Sequence, residues 1–211
     1  MRKGKFIVIE GISGSGQQVK AGIVGLHKAL DEMKFDVVEC ANPDSGRAKE
    51  LGMEGLHNWP FGRDARADFF FEGAVRSEIF RNVVQPAMDQ DKIVICKQSS
   101  ISSLANAWVS GFTQHFDVLR HLEKISRGFL FDDEIYPDLT IFFDIPPEEA
   151  FERIEDVLQI HHEGGIEYYR QMREFYLKEL PRWNGVKINA SASRPQGDID
   201  AEVLALIKGI L

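Results

Sequence analysis

The stretch Gly11-Ile12-Ser13-Gly14-Ser15-Gly16-Gln17-Gln18 stands between the apolar run KFIVIE at 5–10 and a segment of helical spacing. Glycine backbone N–H groups gathered ahead of a helix N-terminus hold an anion whatever the side chains are. Gly11, Gly14 and Gly16 fit the G-x-x-x-x-G frame of a phosphate-binding P-loop, in the strand–loop–helix order that the frame requires. A plain tight turn of small residues needs neither that spacing nor that context, so the phosphate loop is the preferred reading. Such a loop serves phosphoryl transfer: its Lys bridges the β- and γ-phosphates, and the hydroxyl after it ligates magnesium. Here Gln17 and Gln18 take those two places. Gln17 donates hydrogen bonds without charge, and Gln18 is a poor magnesium ligand. Losing one electrostatic donor from such a site costs roughly 10²–10³ in rate. The cradle is expected to persist without its charge.

Few other residues are candidates for chemistry. Lys97 follows the apolar run KIVIC (92–96), at the strand edge where open α/β sheets bind ligands. Its ammonium is a candidate replacement for the missing loop Lys; an ordinary surface lysine is the preferred alternative. Lys20 lies too far into the helix to face the loop. Glu72 and Arg76 form an i, i+4 acid–base pair. They read either as a local ion pair closing a pocket or as a pocket tuned to a polar nucleobase, the first being favoured. His161 and His162 lack partners at helical metal-ligand spacing and read as solvated. Phe69, Phe70 and Phe71, and Tyr168, Tyr169, Phe175 and Tyr176, read as packing faces. Trp59 reads as a loop anchor.

The elements that must position these residues alternate in type. Strands are expected at 5–10, 35–40, 92–96, 138–145 and 185–190. Between them lie helical patterns: Val19, Ile23, Leu26 and Leu30 share one face, and 65–88 reads as a helix ending near Pro86. PPEEAFERI opens another with Pro and acids in its first turn, where the peptide dipole favours them. Strands alternating with helices imply one doubly wound α/β domain over 1–211, a five-stranded parallel sheet flanked by helices. Flexible stretches are expected around 42–48, 126–136 and 157–165.

Bulk properties narrow the function classes. A chain of 211 residues with 44% hydrophobic and 27% charged residues suits a single soluble core. A net charge of -8 argues against non-specific binding to nucleic acid or an anionic membrane. No apolar stretch approaches the ~20 residues of a membrane span. Cys40 and Cys96 each close an apolar run and read as reduced, buried thiols of a cytoplasmic protein.

Several segments together resemble the thymidylate kinases of the nucleoside monophosphate kinase group. KGKFIVIEGISGSG is similar to that family's opening strand and loop, and AVRSEIFRNVVQPAMDQDKIVIC to its helix with the substrate-side arginine and the strand after it. SSLANA, YPDLTIFFDIPPEEAFERI and EYYRQMREFYLKEL continue the likeness to the C-terminus. The resemblance implies a nucleotide-biosynthesis transferase that binds ATP and a dTMP-like acceptor, uses Mg-ATP if active, and forms a homodimer. It places Gly11, Ser13, Gly14, Ser15, Gly16, Gln17 and Gln18 at the phosphates. Glu10, Glu72, Arg76, Ser102 and Ser103 fall on the substrate side.

Departures from the family pattern cluster at charged positions. Besides Gln17 and Gln18, Ser13 stands where an Asp is usual, and Lys97-Gln98-Ser99 replaces Asp-Arg-Tyr. Ala41-Asn42 replaces Arg-Glu, Glu72 replaces a base-stacking Phe, and the lid region near 157–165 carries no Arg or Lys after Arg153. Donor and acceptor phosphates brought together without those cations repel each other by several kcal/mol at an effective dielectric of about 20. Three expectations follow. The first is a pseudokinase that binds nucleotide or phosphate and acts by association, including with an active relative. The second is an active dTMP kinase with atypical residues. The third is a nucleotide-binding enzyme of altered chemistry. The first is preferred on the charge census, and no metal site is assigned.

Overall fold

The computed structural model describes residues 4–41, 65–128, 134–153 and 164–211, with the backbone alone for 16–21. Five strands, β1 (Lys5–Gly11), β2 (Val37–Ala41), β3 (Ile93–Lys97), β4 (Leu139–Asp144) and β5 (Gly185–Asn189), form one sheet. All neighbours pair in parallel, in the order β2-β3-β1-β4-β5. β1 and β4 are covered on both faces, which explains why FIVI and LTIFFD are unbroken apolar runs rather than alternating ones. All five strands expected from sequence are present.

The helices are α1 (Gly16–Glu32), α2 (Ala65–Ile79), α3 (Gln85–Asp89), α4 (Ser100–Val109), α5 (Phe116–Ser126), α6 (Pro147–Glu152), α7 (Gly165–Glu179) and α8 (Gln196–Lys208). One sheet face presents Ile7, Ile9, Ile93 and Ile95, against Ile23, Leu26 and Leu30 of α1 and Ile199, Val203 and Ile207 of α8. The other presents Phe6, Val8, Val94 and Cys96, against Val75 and Ile79 of α2 and Phe80 just beyond it. Alternation along β1 therefore sends Glu10 to the α2 side, with Phe6 and Val8. No helix among the described residues is long and apolar enough to cross a membrane.

One expectation is corrected. The helix over 65–88 does not end near Pro86 but runs on to Asp89, through a π turn at Phe80–Val84. Gln85 N–H bonds Phe80 O, five residues back. That opens the ladder by one residue just ahead of Pro86, which has no N–H to give and whose ring strains a regular α-turn. Helical spacing shows the two flanking faces; the compensating turn is not legible from it.

Candidate phosphate-binding site

The glycine loop leaves β1 at the carboxyl edge of the sheet, in the middle of the strand order. Gly14 has φ +91, and a Cβ there would lie 2.6 Å from Ala150 O. Both the conformation and the close approach of α6 require glycine. A Cβ on Gly11 would run into Ser15 Oγ. Ser15 N–H and Ser15 Oγ–H both donate to Ile12 O, at 3.1 and 2.7 Å. Ser15 thus folds its side chain back into the turn and does not cap α1, whose first turn carries no acidic residue. Ser13 is exposed beside Gly14. A helix N-terminus without acid or cap directed at it suits an anion. The side chains of Gln17, Gln18 and Lys20 lie outside the described residues.

Arg153, the residue directly after α6, reaches this loop: its Nη1 donates to Gly14 O at 3.3 Å, and its Nη2 pairs with Glu149. Sequence reasoning counted Arg153 only as the last cation before the lid. Arg173 is a second such omission. It projects from α7 onto Asp144 at the end of β4, with bidentate bonds of 2.6 and 2.9 Å, and Lys187 Nζ stands 3.7 Å from the same carboxylate. Its presence at the carboxyl edge is decided by the docking of α7, which no local pattern reveals.

Glu10 is the buried hub next to the loop. Its carboxylate accepts from Ser99 N–H at 2.9 Å and from Tyr176 O–H at 3.1 Å. Burial pushes its pKa up to about 7, despite the opposing hydrogen bonds and the charge of Arg76. Ser102 Oγ–H donates to Ser99 O at 2.6 Å and fixes the first turn of α4. Neither Ser99 nor Tyr176 was singled out from sequence for this role.

Glu72 and Arg76 are joined through a third residue. Ser103 Oγ–H donates to Glu72 Oε2 at 2.5 Å and accepts from Arg76 Nη2. Arg76 Nη1 donates to Ser126 Oγ at 3.0 Å and lies 3.9 Å from Glu123 Oε1. Arg76 is fully buried, at 0% exposure. Its Nε is buried without a hydrogen-bond partner, so the guanidinium keeps one donor that these contacts do not use. Sequence spacing paired Glu72 with Arg76; the intervening hydroxyl comes from α4.

Lys97 sits beside Ile9 in the strand register and pairs with Glu39 at 2.8 Å, a carboxylate that His27 Nε2 also approaches at 2.6 Å. That pairing lowers the pKa of Glu39, chiefly through the Lys97 hydrogen bond. The lid near 157–165, His161, His162, Trp59, Asn42 and the stretch 42–48 lie mostly or wholly outside the described residues.

A central glycine loop on a five-stranded parallel sheet, feeding the N-terminus of the next helix, defines the P-loop nucleotide-binding class of fold. The family model described as thymidylate kinase matches residues 9–203, and the chain belongs to that family. A thymidylate kinase of Geobacillus sp. (strain WCH70) is 29% identical over 97% of this chain and 96% of its own length. A probable thymidylate kinase of Thermococcus gammatolerans is 27% identical, again over 97% and 96%. The crystal structure of thymidylate kinase from Ehrlichia chaffeensis has the same fold, with a TM-score of 0.71 over 97% of this chain and 98% of that one, at 19% identity.

Proposed function

We propose that this thymidylate kinase-like chain binds the phosphates of a nucleotide at Gly11–Gly16 and transfers phosphate to thymidylate poorly or not at all. The observation that carries the reading is the pairing of four cations among the described residues. Arg153 with Glu149, Arg173 with Asp144 and Lys97 with Glu39 are each tied to a carboxylate, while Arg76 is buried among Ser103, Ser126 and Glu123. Anion binding needs only the loop amides and the α1 N-terminus. Transfer needs charge aimed at the moving phosphoryl group, and Gln17 brings none.

A bound Mg-ATP would supply the phosphoryl group and a divalent charge. The glycine cradle fits its phosphates. For the metal, Lys97-Gln98-Ser99 places a cation and two neutral side chains where the family resemblance expects a carboxylate, so those residues do not fit a magnesium site. A homodimer and association with an active relative remain proposals that rest on the resemblance.

Thermal unfolding with ADP, ATP and thymidine monophosphate, alongside a coupled assay of ADP production, tests the proposal. Nucleotide at about 100 times its Kd should stabilise the chain by about 2.7 kcal/mol. The expected outcome is stabilisation by ADP or ATP with negligible turnover. No stabilisation removes the binding claim, and ordinary turnover removes the claim of weak transfer. A second reading, an active dTMP kinase, is favoured by one contact: Arg153 on Gly14 O puts a guanidinium beside the loop. Under that reading Arg153→Ala abolishes turnover.

A further inference from the structure

Cys40 and Cys96 face each other in register on the parallel neighbours β2 and β3. Both are free thiols, buried with Val8, Val75, Ile79 and Val94 beneath α2. Facing residues on adjacent strands sit about 4.8 Å apart, within the Cα separation of roughly 4.4–6.8 Å that a disulfide spans. The two side chains leave the same face of the sheet side by side. Cys96 Sγ–H also donates to Gln98 O at 3.3 Å. Gln98 has φ +58, a left-handed conformation that a residue with a side chain rarely holds unaided. The next amide, Ser99 N–H, is the one that Glu10 accepts.

We propose that Cys40 and Cys96 form a thiol–disulfide switch whose oxidised form frees the turn at 97–99 from its anchor on Cys96. The oxidant is a hydroperoxide. Cys40, at 8% exposure against 0% for Cys96, is the entry point. Its thiolate attacks the peroxide O–O bond and keeps one oxygen as a sulfenic acid. The other oxygen leaves with the thiol's proton, as an alcohol, or as water when the oxidant is hydrogen peroxide. The Cys96 thiolate then attacks the Cys40 sulfur and displaces hydroxide, which leaves as water with the proton from Cys96. Two thiols are oxidised and one hydroperoxide is reduced. In the disulfide Cys96 has no S–H to give to Gln98 O, so the left-handed turn loses that bond.

Three groups face the Cys96 thiol: Cys40 on β2, Glu10 on β1 and Arg76 on α2. The neighbouring Cys40 and burial push the Cys96 thiol up; Glu10 adds to this, and Arg76 opposes it. Thiolate is the attacking form, so linkage is slow at neutral pH and faster in mild alkali. Neither the nucleotide reading nor its failure affects the proposal.

The test is to treat the full chain with hydrogen peroxide and follow intact mass, a non-reducing peptide map and amide hydrogen exchange. The expected product is a monomer lighter by two hydrogens, with peptides containing Cys40 and Cys96 joined. A thiol reductant should restore both the mass and free thiols. Exchange at the Ser99 amide should rise on oxidation and fall back on reduction. Cys40→Ser and Cys96→Ser should each lose the mass change; should either fail to fold, the map of the parent chain decides. Added oxygen atoms without a link, or a link only between two chains, overturns the pairing. A link that leaves exchange at Ser99 unchanged overturns the switch.

Discussion

Tyr176 donates its hydroxyl to Oε2 of Glu10 at 3.1 Å, tying α7 to the strand that leads into the glycine loop. Glu10 also holds Ser99 N–H. One buried carboxylate thereby joins the strand that leads into the glycine loop, the turn after β3 and the helix that carries Arg173.

Glu10 makes stability depend on pH. Its pKa is raised from 4.5 to about 7, so the folded chain keeps a proton that the unfolded chain gives up. The associated stability is full below about pH 4.5 and lost as pH rises through about 7, a swing of about 3 kcal/mol. Gln does not titrate, so Glu10→Gln should flatten this slope and leave the variant more stable than the parent above pH 7. Denaturant unfolding across pH 4.5–8 measures it; parallel curves for the two proteins would rule out Glu10 as the titrating group.

Tyr176→Phe isolates the hydroxyl. The ring stacks on Phe142, with centroids 4.7 Å apart, and Phe retains that contact. Removing a hydrogen bond to the ionised carboxylate should move the Glu10 pKa further up and cost about 1–2 kcal/mol at neutral pH. Carboxyl titration by NMR gives the direction; a pKa that falls contradicts it.

Arg76 is held by partners on two helices, α4 and α5, and its loss should be severe. Arg76→Ala leaves Glu72 buried without the guanidinium, while Glu123 keeps Arg127 at 2.8 Å, at a cost of about 3 kcal/mol. Arg76→Lys should recover little, because an ammonium cannot meet Ser103, Ser126 and Glu123 with one planar fork. Equilibrium unfolding checks both, and a cost below about 1 kcal/mol for Arg76→Ala would show that the network contributes little.

Gly14→Ala tests the cradle itself. A side chain at φ +91 costs about 1–3 kcal/mol, and Ala150 O at 2.6 Å forces the loop away from α6. The variant should be less stable and should lose stabilisation by inorganic triphosphate in a thermal melt. Retained stabilisation would place the anion elsewhere.

Gln17→Lys restores the loop charge. Under the proposed function it should tighten ATP binding by tenfold or more, since an added charge-assisted bond is worth about 1.5–3 kcal/mol. Unchanged affinity by calorimetry would mean that the loop does not present position 17 to the phosphates.

The sequence by itself determined the sheet and the loop. KFIVIE and LTIFFD read as strands from their unbroken apolar runs, and Gly11, Gly14 and Gly16 mark a glycine loop directly after the first of them. Those signals are local: burial on both faces, helical spacing and glycine's backbone freedom are written in consecutive residues. The partners of the chemical groups were decided only by tertiary structure. Lys97 meets Glu39 because β2 lies beside β3, and Tyr176 meets Glu10 across 166 positions because α7 docks over β1 and β4. Ser103 enters between Glu72 and Arg76 because α4 packs on α2. Hydrogen bonds are short and directional, so which polar groups find each other depends on ångström-scale docking of elements far apart in the chain, and no spacing along the sequence encodes it.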